Sequence, residues 1–297
     1  MQATFVIYCA AGEAHSAVID DNGVLFTFGA GSYGRLGLGE ESDALTPTPV
    51  DTLRKYKIVM VSCGAFHTMC VTKEKELWGF GGRLYGKLGD GIFTGNAMTP
   101  IKVAPEAGDG SDPSGFTQIA CGTFHSAALT AAGHIKTFGF DGQGQLGIKD
   151  NDFKNQSEPQ VVHNLDTVQI TGMSHLLAEE DAKRQQLKGK AGTSTPAKSK
   201  GSSGLHDMGG GKGGLNNAAS SIVSISAGAQ HSLACTLKGD VYAWGENRDG
   251  QLGLNSNISQ LRPVRVEYHI SGKRIRKVAA GAQHSLCLTI RGDVYAW

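Results

Sequence analysis

Short apolar runs of strand length recur along this chain, each closed by a glycine or a polar turn residue. Ile58-Val59-Met60-Val61, His67-Thr68-Met69-Cys70-Val71 and Glu76-Leu77-Trp78-Gly79-Phe80 follow one another in this way, and their β-rich composition predicts strands. Glycines between such runs permit positive φ angles or close backbone approach. The pattern predicts many short strands joined by tight turns. No apolar run approaches the ~20 residues of a membrane helix.

The runs are organised by an internal repeat, whose period decides the architecture. Gly-x-x-His occurs as Gly12–His15, Gly64–His67, Gly122–His125, Gly228–His231 and Gly281–His284. The histidines lie 52, 58, 106 and 53 residues apart, and the step of 106 predicts one further, hidden unit. After each histidine come an apolar run and a turn residue, which is Gly23, Gly133, Gly239 or Gly292, with Lys75 in the remaining unit. Five residues later stands an aromatic: Phe28, Phe80, Phe138, Trp244 or Trp297. Gly29, Gly81, Gly139 and Gly245 follow the first four, and a Leu-Gly pair closes each of those units: Leu36-Gly37, Leu88-Gly89, Leu146-Gly147 and Leu252-Gly253.

Such units predict an all-β protein, a β-propeller of four-stranded antiparallel blades whose apolar faces are buried only by stacking around an axis. The recurring aromatic and leucine are expected to fill the layer between neighbouring blades. The chain stops at Trp297, partway through a unit, so about six repeats are expected, as an incomplete seven-bladed ring from a truncated chain or as an open ring. The expected organisation is blades one to three in 1–165, a degenerate blade in 166–221, and blades five and six in 222–297. Thr167–His175 begins the degenerate unit on schedule, but no aromatic-Gly or Gln-Leu-Gly follows. The Gly/Ser/Lys-rich composition up to Gly214 predicts little regular structure there, over 183–214 above all.

Gly-x-x-His-Ser at Gly228–Ser232, followed by Gly-Asp-Val-Tyr-Ala-Trp-Gly-Glu-Asn-Arg-Asp-Gly-Gln-Leu-Gly at Gly239–Gly253, closely resembles the repeat of the regulator-of-chromosome-condensation family. The resemblance implies a seven-bladed propeller. It also implies that the Gly-x-x-His loops face the GTPase in members that promote nucleotide exchange on the small GTPase Ran, where acidic or histidine residues of those loops matter. The matching partner-face candidates are Glu13, His15, His67, His125, His231 and His284. Glu13 is the one acidic residue among the loop positions. The aromatic-Gly to Leu-Gly spacing is the same in all four complete copies, whereas exchange-active members are thought to carry a wedge inserted there.

Composition and charge narrow the function. Glycine is the outlier at 42 residues, about twice the usual share. The net charge of +1 gives no general attraction to nucleic acid or anionic membrane. Only the stretch from 183 to 212 is locally basic, which motivates chromatin contact as a minor reading. The six cysteines form no Cys-x-x-Cys pair, and they read as small buried hydrophobes of a reducing compartment. Gly29-Ala30-Gly31-Ser32-Tyr33-Gly34 matches a dinucleotide fingerprint, but Gly245–Gly250 holds the same register in another unit. It therefore predicts a repeat turn with no helix after it. The five histidines fall in different units without acidic companions, so structural hydrogen bonding to backbone of the same or the next blade is expected rather than metal ligation. No cofactor, metal or bond-making chemistry is expected. The reading is an intracellular, cytoplasmic or nuclear, non-enzymatic scaffold that binds a protein partner and no membrane. The alternative is a guanine-nucleotide exchange factor for a Ran-like GTPase.

Overall fold

A computed structural model of the chain describes residues 5–103, 114–148, 153–163, 165, 222–268 and 270–297. The described residues form five antiparallel sheets, each a meander in chain order. Blade 1 comprises β1 (Val6–Ala11), β2 (His15–Asp20), β3 (Leu25–Gly29) and β4 (Ala44–Pro49). Blade 2 comprises β5 (Ile58–Cys63), β6 (His67–Thr72), β7 (Leu77–Gly82) and β8 (Asn96–Val103). In blade 3 the strands are β9 (Phe116–Cys121), β10 (His125–Thr130), β11 (Ile135–Gly139) and β12 (Gln156–Val161). Blade 4 holds β13 (Ile222–Ala227), β14 (His231–Thr236), β15 (Val241–Gly245) and β16 (Gln260–Arg265). Blade 5 has three strands, β17 (Ile275–Ala280), β18 (Ser285–Thr289) and β19 (Val294–Ala296).

The propeller architecture expected from the repeat is present, but the blade count is corrected. The described residues hold five blades, not the six of an incomplete seven-bladed ring. The hidden unit was inferred from the 106-residue step, and that step does not place a blade between blades 3 and 4. The two are direct neighbours: Gln118 of β9 donates to the carbonyl of Val223 in β13, at 2.8 Å. The degenerate blade and the Gly/Ser/Lys-rich stretch expected within 166–221 lie outside the described residues.

Register is the same in every four-stranded blade. The histidine that opens the second strand pairs with the glycine that ends the third, as His15 with Gly29, His67 with Gly81, His125 with Gly139 and His231 with Gly245. The pairing of third and fourth strands then shifts across the aromatic preceding that glycine. Such a shift re-aims one side chain, and here the aromatic enters the layer between blades. Phe80, Phe138 and Trp244 are buried there, and Leu36, Leu88, Leu146 and Leu252 with them. Burying one such side chain contributes roughly 1.5–3 kcal/mol. Phe28 is only half-buried, because no described blade covers its side of blade 1.

The core is thus a series of interblade layers. Ile19, Leu25, Ile58, Val61 and Phe80 join blades 1 and 2, while Met69, Leu88, Ile119 and Phe138 join blades 2 and 3. Leu233, Val241, Leu252, Ile275 and Val278 join blades 4 and 5. Cys63, Cys70, Cys121, Cys235 and Cys287 are buried free thiols and Cys9 is an exposed one. The fingerprint-like Gly29–Gly34 segment is a turn with one 3-10 element, Ser32–Gly34, and β4 follows it without a longer helix.

Candidate interaction face

Each Gly-x-x-His is the tip of a hairpin. The glycine N–H donates to the histidine carbonyl, at 2.8 Å for Gly12 and His15 and 2.9 Å for Gly64 and His67, leaving the two intervening residues as the loop. The tips lie side by side at one end of the blades. Glu13 N–H reaches the Gly64 carbonyl at 3.3 Å, and Ala229 N–H the Ala282 carbonyl at 3.1 Å. The residues with freedom to vary in the repeat are therefore presented together on one face.

Beneath the tips, the histidines clasp blade to blade. His15 Nε2 lies 2.7 Å from Thr68 Oγ1 in the next blade, and that hydroxyl donates back to the Arg35 carbonyl of the first blade at 2.7 Å. The same clasp repeats three times. His67 meets Ser126, which donates to the Lys87 carbonyl; His125 meets Ser232, which donates to the Gln145 carbonyl. His231 meets Ser285, which donates to the Gln251 carbonyl. A hydroxyl has one proton, already committed to the carbonyl, so Nε2 carries the hydrogen and Nδ1 is the bare acceptor. Nδ1 of all four rings is buried without a hydrogen-bond partner. The glycine of each motif packs against that ring edge; a Cβ on Gly228 would lie 2.5 Å from His231 Nδ1. Protonating Nδ1 would create a buried charge with no acceptor. Burial accordingly holds His15 and His231 down to about 4 and His125 to about 3, and pushes His67 well below the usual histidine value. The charge of Arg35 adds to the effect at His15 and that of Lys87 at His67.

The Leu-Gly glycine completes the joint. Gly147 has φ +67°, and a Cβ there would sit 2.7 Å from Trp244 Nε1, so the absence of a side chain is what lets the indole approach the backbone this closely. Trp244 and Trp297 also donate to the carbonyls of Gln145 and Gln251, each at 2.9 Å.

Of the partner-face candidates read from the sequence, His15, His67, His125 and His231 are thus buried in the clasps. Glu13 and His284 are exposed. The clasp's second half, the Ser or Thr that follows each histidine, went unread, although the dipeptide stands in every unit as His15-Ser16, His67-Thr68, His125-Ser126, His231-Ser232 and His284-Ser285.

Also unread was the lip that surrounds the tips. Phe66 and Phe124 occupy the tip position before the histidine and stack with centroids 5.4 Å apart and planes 19° apart. Tyr33 meets Phe66 edge-on at 5.3 Å, Tyr85 meets Phe124 edge-on at 5.3 Å, and Phe140 closes the row at 4.8 Å from Tyr85. Arg35 and Lys87, the residues before Leu-Gly, turn into this row. The Arg35 guanidinium carbon is 5.3 Å and Lys87 Nζ 5.9 Å from the Phe66 centroid, and Lys87 Nζ is 5.7 Å from that of Phe124. Burial lowers Lys87 from 10.5 to about 8. Among the described residues no group of three His, Cys, Asp or Glu side chains is placed to hold a metal ion, and no helix is long and apolar enough to cross a membrane.

The sequence profile of the regulator of chromosome condensation (RCC1) repeat matches residues 22–71, 75–129 and 238–288, more than half of the chain, and a second profile of that repeat matches 116–145 and 222–251. Among curated proteins, the ultraviolet-B receptor UVR8 of Arabidopsis thaliana is 28% identical over 288 residues, which cover 97% of this chain and 52% of that protein. Human E3 ubiquitin-protein ligase HERC2 is 29% identical over 305 residues, covering 96% of this chain and 6% of that protein. The chain thus spans about half the length of the first relative and a small part of the second. Human WBSCR16 has a similar fold, with a TM-score of 0.70 at 22% identity over 96% of this chain and 57% of that one. Prp20p of Saccharomyces cerevisiae follows at 0.68 and 20% identity, over 97% of this chain and 56% of that one.

Proposed function

Because this chain belongs to the regulator-of-chromosome-condensation repeat family, we propose that it is a non-enzymatic scaffold, intracellular and cytoplasmic or nuclear, that binds a protein partner through its hairpin tips. The observation that carries this reading is the division of labour at that face. The repeated residues are spent on holding blades together, and the variable ones are gathered in one row at the surface. The four clasp histidines have no free chemistry to offer, since Nε2 is engaged and Nδ1 is sealed against glycine. Affinity capture with the full chain, followed by the same capture after Phe66→Ala, tests it. Partners retained by the native chain and lost by the variant support the reading; an identical set from both contradicts it.

A second reading is guanine-nucleotide exchange on a Ran-like small GTPase, with Glu13 as the exposed acidic tip residue. It rests on the family and on the fold's likeness to Prp20p, whose structure was described with its binding to Gsp1p and histones. The histone binding of that protein also keeps chromatin contact as a minor reading for this chain. A fluorescent-nucleotide release assay on a Ran-like GTPase separates exchange from scaffolding. Stimulation by the native chain that Glu13→Ala weakens favours exchange, and no stimulation excludes it.

A further inference from the structure

The charge of the lip is not balanced. Arg35 is 5% and Lys87 1% exposed, and no carboxylate among the described residues lies within salt-bridge distance of either. Buried cations are ordinarily paired, since leaving one unpaired costs several kcal/mol. Here the partners are carbonyls and rings. Arg35 donates to the carbonyls of Ser32 and Ala65, and Lys87 to that of Leu84 at 3.1 Å. An ammonium has three donors, and one is accounted for. The faces of Phe66 and Phe124 supply partial compensation by cation–π attraction, which holds the two cations just beneath the face without neutralising them.

We propose that the lip formed by Arg35, Phe66, Lys87 and Phe124 is the docking surface for an acidic peptide segment of the partner protein. The proposal rests on the scaffold reading and adds the partner's chemistry. A carboxylate seated on the tip rings is drawn by the field of Lys87 and Arg35, which lie buried against those rings and whose two charges the chain leaves open. The row of exposed Tyr33 and half-buried Phe66, Phe124 and Tyr85 gives the same segment apolar contact on either side of its carboxylates. A nucleic acid is a poorer fit. It requires a track of phosphate contacts, and this surface offers two recessed cations on a chain of net charge +1.

Blades 3 and 4 supply the internal control. At the positions of Arg35 and Lys87 they carry Gln145 and Gln251, and at the tip position of blades 4 and 5 they carry Gln230 and Gln283. Lys87→Gln therefore installs what a neighbouring blade already accommodates. The experiment is fluorescence anisotropy of a fluorescein-labelled peptide of six glutamates titrated with the full chain, with a peptide of six lysines as counter-probe. Expected are binding of the glutamate peptide alone, a weakening of about tenfold or more in Lys87→Gln and in Arg35→Gln, and no change in Gln230→Ala. Thermal melts of all three variants show that the blades remain folded. Equal affinity of Lys87→Gln and the native chain overturns the proposal. So does binding of both peptides alike, or full displacement by inorganic phosphate, which would reduce the lip to a simple anion site. If capture finds partners that depend on Phe66 while the glutamate peptide ignores Lys87, this inference fails and the scaffold reading stands.

Discussion

The lip over blades 1 to 3 and the lip over blades 3 to 5 are built on identical clasps and finished in opposite ways. In the second, Gln145 and Gln251 turn their side-chain oxygens to the N–H groups of Gln143 and Asp249, at 2.9 and 3.0 Å, and so fasten the turn before Leu-Gly. Arg35 and Lys87 have no acceptor to offer. In their turns the residue equivalent to Gln143 is Tyr33 or Tyr85, held at φ +66° and +68°. A left-handed conformation is unfavourable for a bulky side chain. The turns before Leu-Gly in blades 1 and 2 therefore carry strained tyrosines and buried cations, whereas those of blades 3 and 4 carry amides at the same positions and begin on buried carboxylates, Asp141 and Glu246. The difference teaches that framework and function are separable here. The joint uses only the histidine ring, a hydroxyl and a backbone carbonyl, so the side chain that carries that carbonyl is free to change.

If that separation holds, damage to the framework should cost the same in both halves. The largest effect is expected from truncating the interblade aromatic. Phe138→Ala and Trp244→Ala should each destabilise by about 3–5 kcal/mol, as read from denaturant unfolding. Opening a clasp comes next: His67→Ala and His231→Ala should each cost about 1–3 kcal/mol for the buried hydroxyl and carbonyl left short of a partner. A cost confined to one half would break the comparison. The same histidines set an acid limit. Unfolded imidazole takes up its proton near 6.5, whereas folded His15 and His231 resist until about 4. Between these values the unfolded state binds more protons, so the histidines' contribution to stability should be level above about pH 6.5 and fall as the pH drops toward 4. A melting temperature indifferent to pH over that window would contradict the clasp geometry.

Smaller effects sharpen the contrast between the lips. Lys87→Gln should stabilise the protein at pH 7 by about 1 kcal/mol, since it removes a buried ammonium and supplies the acceptor its turn lacks. Lys87 is lowered to about 8 against 10.5 when unfolded. The unfolded state therefore binds more protons between those values, and the advantage of the glutamine should shrink as the pH rises through them. Destabilisation by this substitution at pH 7 would show the lysine to be part of the framework. Least of all, Glu13→Ala and His284→Ala should stay within about ±0.5 kcal/mol, because both side chains are exposed.

The sequence and the structure agree wherever a residue type repeats. Strand runs, turn glycines, the interblade aromatic and the Leu-Gly pair were all readable, because each blade solves one packing problem with one set of residues. The blade count was not. Thr167–His175 resembles the opening of a unit, and a 106-residue step equals two periods whether or not a blade fills it; the bond from Gln118 to Val223 and the clasp of His125 with Ser232 show which. The clasp was half legible. The sequence leads to an expectation of hydrogen bonds from the histidines to backbone of the same or the next blade, whereas the partner is the hydroxyl that follows a histidine 52 or more positions away. The lip left no repeated signal at all. Arg35, Lys87, Gln145 and Gln251 share a position and not a chemistry, and a reading anchored on what recurs passes over the place where the blades differ.

Exchanging one lip for the other tests the separation of framework from function most directly. The fourfold variant Arg35→Gln, Phe66→Gln, Lys87→Gln and Phe124→Gln gives blades 1 to 3 the residue type of the amide half. Isothermal titration of this variant and of the native chain with the six-glutamate peptide, alongside their thermal melts, is the measurement. The account predicts heat of binding from the native chain, none from the variant, and cooperative unfolding retained in both. Undiminished binding by the variant would contradict it, as would a variant that no longer folds.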